Sequence, residues 1–202
     1  MNNFRLVAQL DVFPVLPQLY RTQPKTWKPI EARGETNSPM IGLGASLLLL
    51  GHDGITEENW LDDLPIKEQP ALAGGGQKPF DKPWESMRRL LQQARKTIMV
   101  EALARQYLSG VMGRAMVSRL DPGSSIFWHV DDGPYHEKHV RFHLPLMTNL
   151  GCFLYSQAEM QHLPMGTLWF FNNRVRHSAA NWGQHPRLHL IFEMRRIEKD
   201  DE

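Results

Sequence analysis

A mainly β fold with a helical N-terminal extension is what this sequence predicts, and three observations carry the prediction. A series of short apolar or alternating runs begins near residue 115 and continues almost to the end of the chain. Most of these runs are bounded by Gly, Pro or Asn, the residues that punctuate strands. No helical pattern intervenes between them, which points to an antiparallel sandwich or barrel rather than an alternating α/β fold.

Residues 1–20 form a short amphipathic start, and residues 20–44 carry Pro24, Pro29, Gly34, Pro39, Gly42 and Gly44 and should be largely irregular. Residues 45–50 are the most apolar internal run, far too short to span a bilayer. Ala73-Gly74-Gly75-Gly76 marks a flexible turn. From Pro83, which suits the first turn of a helix, Trp84, Met87, Leu90, Leu91, Ala94 and Ile98 recur at helical spacing. Arg88, Arg89, Gln92, Gln93, Arg95 and Lys96 fill the other face. A second helical piece should end between Leu108 and Gly110. Strands are then expected over 115–120, 126–130, 140–147, 152–156, 167–171, 177–182 and 188–194, the first followed by a turn at Asp121-Pro122-Gly123. The resulting division is an N-terminal helical and loop extension over 1–110, a β core over 111–197 and a polar tail over 198–202, all in one folded unit. The loops at 20–44 and 70–82 are candidates for a lid, while Trp27, Trp60 and Trp84 are expected to pack.

With 202 residues the chain can bury a core without disulfide staples. Its single cysteine, Cys152, lies in an apolar run and reads as a buried small hydrophobe in a reducing compartment. The 23 basic and 22 acidic side chains nearly cancel, which gives no argument for nucleic acid or an anionic membrane surface. The opening residues lack a basic region followed by a continuous apolar stretch, so a cytoplasmic location is expected.

Chemistry enters at His129-Val130-Asp131. Side chains two residues apart on an extended segment point to the same side, so this His and Asp can grip one metal ion. A third ligand would complete the facial triad that leaves positions open on Fe(II), and several histidines could supply it. Asp132 would point the opposite way. His177 opens a plausible strand, and Arg187 begins the next one after a turn over residues 183–186. That layout can place an imidazole at the metal with a guanidinium one strand away, its planar fork matched to a carboxylate. Arg141 and His143 share one face of their strand, and Arg187 and His189 share one face of theirs. Polar strand faces can turn to solvent or line a barrel interior.

The segments SRLDPGSSIFWHVDDGP, VRFHLPLMTN and GTLWFFNNRVRHSAANWGQHPRLHLIF, in that order from Ser118, resemble the aspartyl/asparaginyl β-hydroxylase family of 2-oxoglutarate- and Fe(II)-dependent oxygenases. The resemblance implies a double-stranded β-helix (jelly-roll, cupin-like) core with iron near one end and the N-terminal helices packed against it. It implies His129 and His177 as metal histidines, with Asp131 as the carboxylate that some family members lack. Retention of Asp131 argues for hydroxylation over halogenation. Arg187 and Ser118 match residues that hold the distal carboxylate of 2-oxoglutarate, His143 one near its iron-chelating end, and Arg141 an arginine implicated in holding the prime substrate. The implied cofactors are Fe(II), 2-oxoglutarate and O2, with no nucleophilic residue needed. The expected substrate is an amino acid, a peptide or protein side chain, or a related small molecule. Desaturation or ring formation at the same site, or a non-catalytic cupin-like binding module, are the alternative expectations.

Overall fold

Alternation along the last strand explains how the molecule is layered. In β11 (Arg187–Arg196), Leu188, Leu190, Phe192 and Met194 are buried on one side in a large apolar cluster. Arg187, His189 and Glu193 alternate with them and are equally buried, but on the opposite side. The strand is therefore covered on both faces, by an apolar layer on one side and by buried polar side chains on the other, rather than having one face in water.

The computed structural model describes residues 3–21, 28–29, 44–50 and 85–197. In chain order, β1 (Phe4–Gln9) leads through a 3-10 turn into α1 (Leu16–Arg21), followed by β2 (Lys28–Pro29) and β3 (Gly44–Leu50). Next come α2 (Glu85–Val100), α3 (Ala102–Tyr107), β4 (Leu108–Leu120), β5 (Ser124–His129) and the short α4 (Pro134–Lys138). The chain then runs through β6 (His139–Met147), β7 (Cys152–Ser156), β8 (Glu159–Gln161), β9 (Thr167–Phe171), β10 (His177–Asn181) and β11. The strands form a seven-stranded sheet, ordered β1-β9-β6-β11-β4-β3-β2, and a four-stranded sheet, ordered β5-β10-β7-β8. All pairings are antiparallel.

On its outer face the larger sheet is covered by α2. Met87, Leu90, Leu91, Ala94 and Ile98 are the buried residues of that helix and lie on one stripe at three- and four-residue spacing. They pack with Val117 of β4, Phe142, Leu144 and Leu146 of β6, and the even-numbered apolar residues of β11. Each fully buried Leu or Ile contributes roughly 1.5–3 kcal/mol. A second, smaller cluster joins Leu120, Phe171 and Phe4 of the larger sheet to Leu154 and Ala179 of the smaller one, which fixes the two sheets face to face. This is the mainly β jelly roll with packed helices that the sequence predicts.

Several elements differ from the sequence reading. Residues 4–9 form an edge strand paired with β9, and residues 44–50 form a strand paired with β4. Both owe their conformation to partners distant in sequence, which local patterning does not display. β4 begins at Leu108 and runs unbroken past Gly110 and Gly113, so the sheet crosses the position where composition changes. The short α4 and β8 carry too little periodicity to be seen in the sequence. Helix α2 is described from Glu85, so Pro83 and Trp84 lie outside the described residues. So do Trp27, Trp60, residues 70–82, most of residues 20–44 and the tail over 198–202. No helix among the described residues is long and apolar enough to cross a membrane.

Candidate metal centre

His129 ends β5 and His177 begins β10, and the two residues are direct partners in the antiparallel ladder. Directly paired residues project to the same side, which brings the rings to 4.2 Å between centroids. Asp131 follows His129 by two residues, and its backbone N–H donates to the carbonyl of Asn173 at 3.2 Å. Gly133, at φ +91°, then turns the chain away into α4, a conformation that side chains with a Cβ rarely adopt. The ligand-capable atoms of His129, Asp131 and His177 all lie within 4.8 Å of one another.

The donor set fits a metal ion in its details. His129 Nδ1 lies 2.7 Å from the carbonyl of Phe127, and His177 Nδ1 lies 2.8 Å from that of Val175. A carbonyl only accepts, so each Nδ1 carries the proton and each Nε2 keeps its lone pair. Those Nε2 atoms face Asp131, at 3.6 Å from Oδ1 for His129 and 3.9 Å from Oδ2 for His177. Burial, reinforced by the neighbouring His129, lowers His177 to about 4, so its imidazole is neutral near pH 7. Burial alone would raise the Asp131 carboxyl. The Arg141 guanidinium, followed by His177 and a hydrogen bond from Asn173, outweighs it and keeps the carboxylate ionised. Two imidazoles and one carboxylate on one side of a site are the ligand types that suit Fe(II) with open positions.

Beside this group lies a buried cluster of one guanidinium and two imidazoles. Arg187 is only 1% exposed, yet its Nε and Nη1 have no hydrogen-bond partner among the described residues. Burial lowers its guanidinium to about 10. His143 and His189 approach at 3.4 Å between their Nδ1 atoms, and the Nε2 of each is likewise buried without a partner. Ser118 is the ladder partner of His189 and is also buried. Phe171 connects the two regions, its ring 5.2 Å from that of His143 and 5.1 Å from that of His177. Guanidinium N–H groups buried without partners are costly, and an anion is what would satisfy those of Arg187.

The structure thus brings His129, Asp131 and His177 together and gathers Ser118, His143 and Arg187 nearby. Arg141 lies at the margin, pairing with Asp131 through Nη1 and with Glu193 through Nε and Nη2 at 3.1 and 2.6 Å. The exposed Asp132 takes no part in the group. Asn173, Glu193 and Phe171 were not singled out by sequence reasoning. Glu193 could have been, because it shares the odd-numbered face of β11 with Arg187 and His189.

A two-sheet jelly roll holding a His-Asp-His group beside a buried, unpartnered arginine defines a cupin-like metalloprotein. The chain belongs to the aspartyl/asparaginyl β-hydroxylase family, whose model matches residues 84–197 and so takes in every site residue named above. Among curated proteins it is similar to the L-proline cis-4-hydroxylase of Rhizobium meliloti (strain 1021), with 34% identity over 77 residues. That stretch is 38% of this chain and only 28% of the relative's length. Among solved structures it resembles a prolyl hydroxylase from Trichoplax adhaerens in complex with a hypoxia inducible factor peptide fragment, with a TM-score of 0.64 and 15% identity. That likeness covers 96% of this chain and 84% of the other. A Pseudomonas putida prolyl-4-hydroxylase has a TM-score of 0.57 and 14% identity, covering 98% of this chain and 95% of the other. Likenesses at such low identity show the shared fold.

Proposed function

We propose that this protein is a 2-oxoglutarate- and Fe(II)-dependent dioxygenase that hydroxylates an amino acid, a peptide or protein side chain, or a related small molecule. The observation that carries the reading is the adjacency of two features: three preformed metal ligands, and a buried arginine whose donors await an anion. His129, Asp131 and His177 would hold the iron. Arg187 and Ser118 would take the distal carboxylate of 2-oxoglutarate, with His143 near its other end. When bound, iron, 2-oxoglutarate and O2 supply oxidising power that converts the co-substrate to succinate and CO2 and places one oxygen atom on a substrate C–H.

The chain's own contribution is positioning. Carbonyls of Phe127 and Val175 hold the two imidazoles in the tautomer that ligates. Asn173 and Arg141 hold Asp131 Oδ2. Burial of Arg187 removes competing water, so its attraction for a carboxylate is stronger than at a surface. Arg141 has N–H groups beyond the three engaged with Asp131 and Glu193, and it lies at the edge of the metal group. A substrate carboxylate would meet it there. L-proline and other free amino acids are accordingly the first substrates to try, given the curated relative.

The test is succinate release from 2-oxoglutarate in the presence of Fe(II), ascorbate and air, scored against free amino acids and short peptides. The expected result is substrate-stimulated succinate with stoichiometric hydroxylated product. Absence of succinate with every substrate, together with no metal uptake, would overturn the proposal.

A further inference from the structure

Glu193 is a buried carboxylate that the proposed chemistry does not use. It is 1% exposed, on the inner face of β11. Its Oε1 accepts from Arg114 Nη2 at 3.1 Å, Arg141 Nε at 3.1 Å and Arg141 Nη2 at 2.6 Å. The Tyr135 hydroxyl adds a further hydrogen bond, and the same hydroxyl accepts the backbone N–H of Arg114 at 2.7 Å. Arg141 and Glu193 are ladder partners, so the backbone sets their contact as well as the side chains. The group of Arg114, Arg141, Glu193 and Asp131 is neutral overall, which is how four ionised residues can share a buried site.

We infer that Glu193 is a positioning residue for the metal centre: by holding one edge of Arg141, it determines which oxygen of Asp131 is left for the metal. Arg141 uses Nε and Nη2 on Glu193 and only Nη1 on Asp131 Oδ2. Asn173 Nδ2 takes the same Oδ2 at 3.0 Å. Oδ1 is therefore the oxygen left to face His129 Nε2, at 3.6 Å. Without the Glu193 charge, the guanidinium would be free to turn its two-pronged edge onto both oxygens of Asp131, the arrangement that arginine and carboxylate favour. It would then compete with the metal for the carboxylate of the His-Asp-His group. This inference rests on the metal reading and adds a residue to it.

The test is a double-mutant cycle read by Co(II) binding to the metal-free full chain, using the Co(II) ligand-field absorption and its titration, with no turnover required. In the Arg141 background, Glu193→Gln is expected to weaken Co(II) binding at least about tenfold and to change the absorption band, the scale of losses seen when partners of metal ligands are removed. In the Arg141→Gln background, the same substitution is expected to change the affinity by less than about twofold, because its route to Asp131 is gone. The double variant is also charge-balanced, and its fold is checked by circular dichroism. If Glu193→Gln does not fold, Glu193→Asp replaces it, with the same expectation. Equal loss in both backgrounds, or a lowered melting temperature with unchanged Co(II) affinity, would overturn the inference while leaving the metal site in place. Failure of the unsubstituted protein to take up Co(II) would instead overturn the metal reading, and this inference with it.

Discussion

Replacing Arg187 by methionine should stabilise the protein without its co-substrate and abolish stabilisation by the co-substrate. Arg187 sits at 1% exposure with Nε and Nη1 unpartnered, and burial brings its guanidinium down to about 10 from its ordinary, far more basic value. Each tenfold change in acidity is worth about 1.4 kcal/mol, so the folded state carries on the order of 3 kcal/mol of penalty for keeping this cation. Methionine has a similar length and no charge, and removes that penalty. For a chain of this size the gain corresponds to a rise of about 6–12 °C in melting temperature. The assay is calorimetry on protein loaded with redox-silent Zn(II), with and without 2-oxoglutarate. A saturating ligand at about a hundred times its Kd adds about 2.7 kcal/mol to the unsubstituted protein and almost nothing to the variant. Two results would refute the reasoning: a variant that melts below the parent without co-substrate, or one that keeps the full shift on adding 2-oxoglutarate.

Three further predictions follow from the same geometry. Burial, followed in order by the charges of Arg141 or Arg187, lowers His143 and His189 well below 6.5, and burial with His129 lowers His177 to about 4. Above pH 6.5 these rings are neutral in both states. As pH falls below it only the unfolded chain takes up protons, so stability of the metal-free protein is lost from pH 6.5 downward, about 1.4 kcal/mol per pH unit for each histidine. Urea denaturation at pH 7 and pH 5 checks this, and His189→Leu should reduce the slope by one histidine; equal stability at both pH values contradicts it. Gly151→Ala should cost about 1–3 kcal/mol in urea denaturation. Its Cβ would lie 2.4 Å from the backbone nitrogen of Gly183, where the turn leading into β7 crosses the turn leading to Arg187. An unchanged midpoint would show that the two turns can separate freely. Asn173→Ala, which removes the 3.0 Å hydrogen bond to Asp131 Oδ2, should weaken metal binding by about tenfold in a metal titration without unfolding the chain. Unaltered affinity would mean that Arg141 alone orients the carboxylate.

The C-terminal half was legible because strand alternation and turn residues are local signals. β7 and β9 fall on the expected residues, and the other core strands differ mainly at their ends. The strands β1 and β3 were not legible, since each is defined by a partner more than 60 residues away in sequence. The grouping of His129, Asp131 and His177 followed from spacing together with a multi-part resemblance, and the ladder pairing of the two histidines supplies its geometry. Arg141 illustrates the opposite case. Its type and face were readable, but its engagement with Glu193 and Asp131 depends on three strands and loops converging, which no single segment records. Asn173 lies in a turn whose sequence, Asn172-Asn173-Arg174, carries no sign that one side chain points at a metal ligand.

The most direct test of the central claim is anaerobic Fe(II) loading of the metal-free protein, followed by desalting and metal analysis. The geometry predicts about one iron per chain in the unsubstituted protein. It predicts almost none in His129→Ala, Asp131→Ala or His177→Ala, each checked by circular dichroism to be folded. Iron retained at the full level in a folded His177→Ala variant would contradict the assignment of the centre.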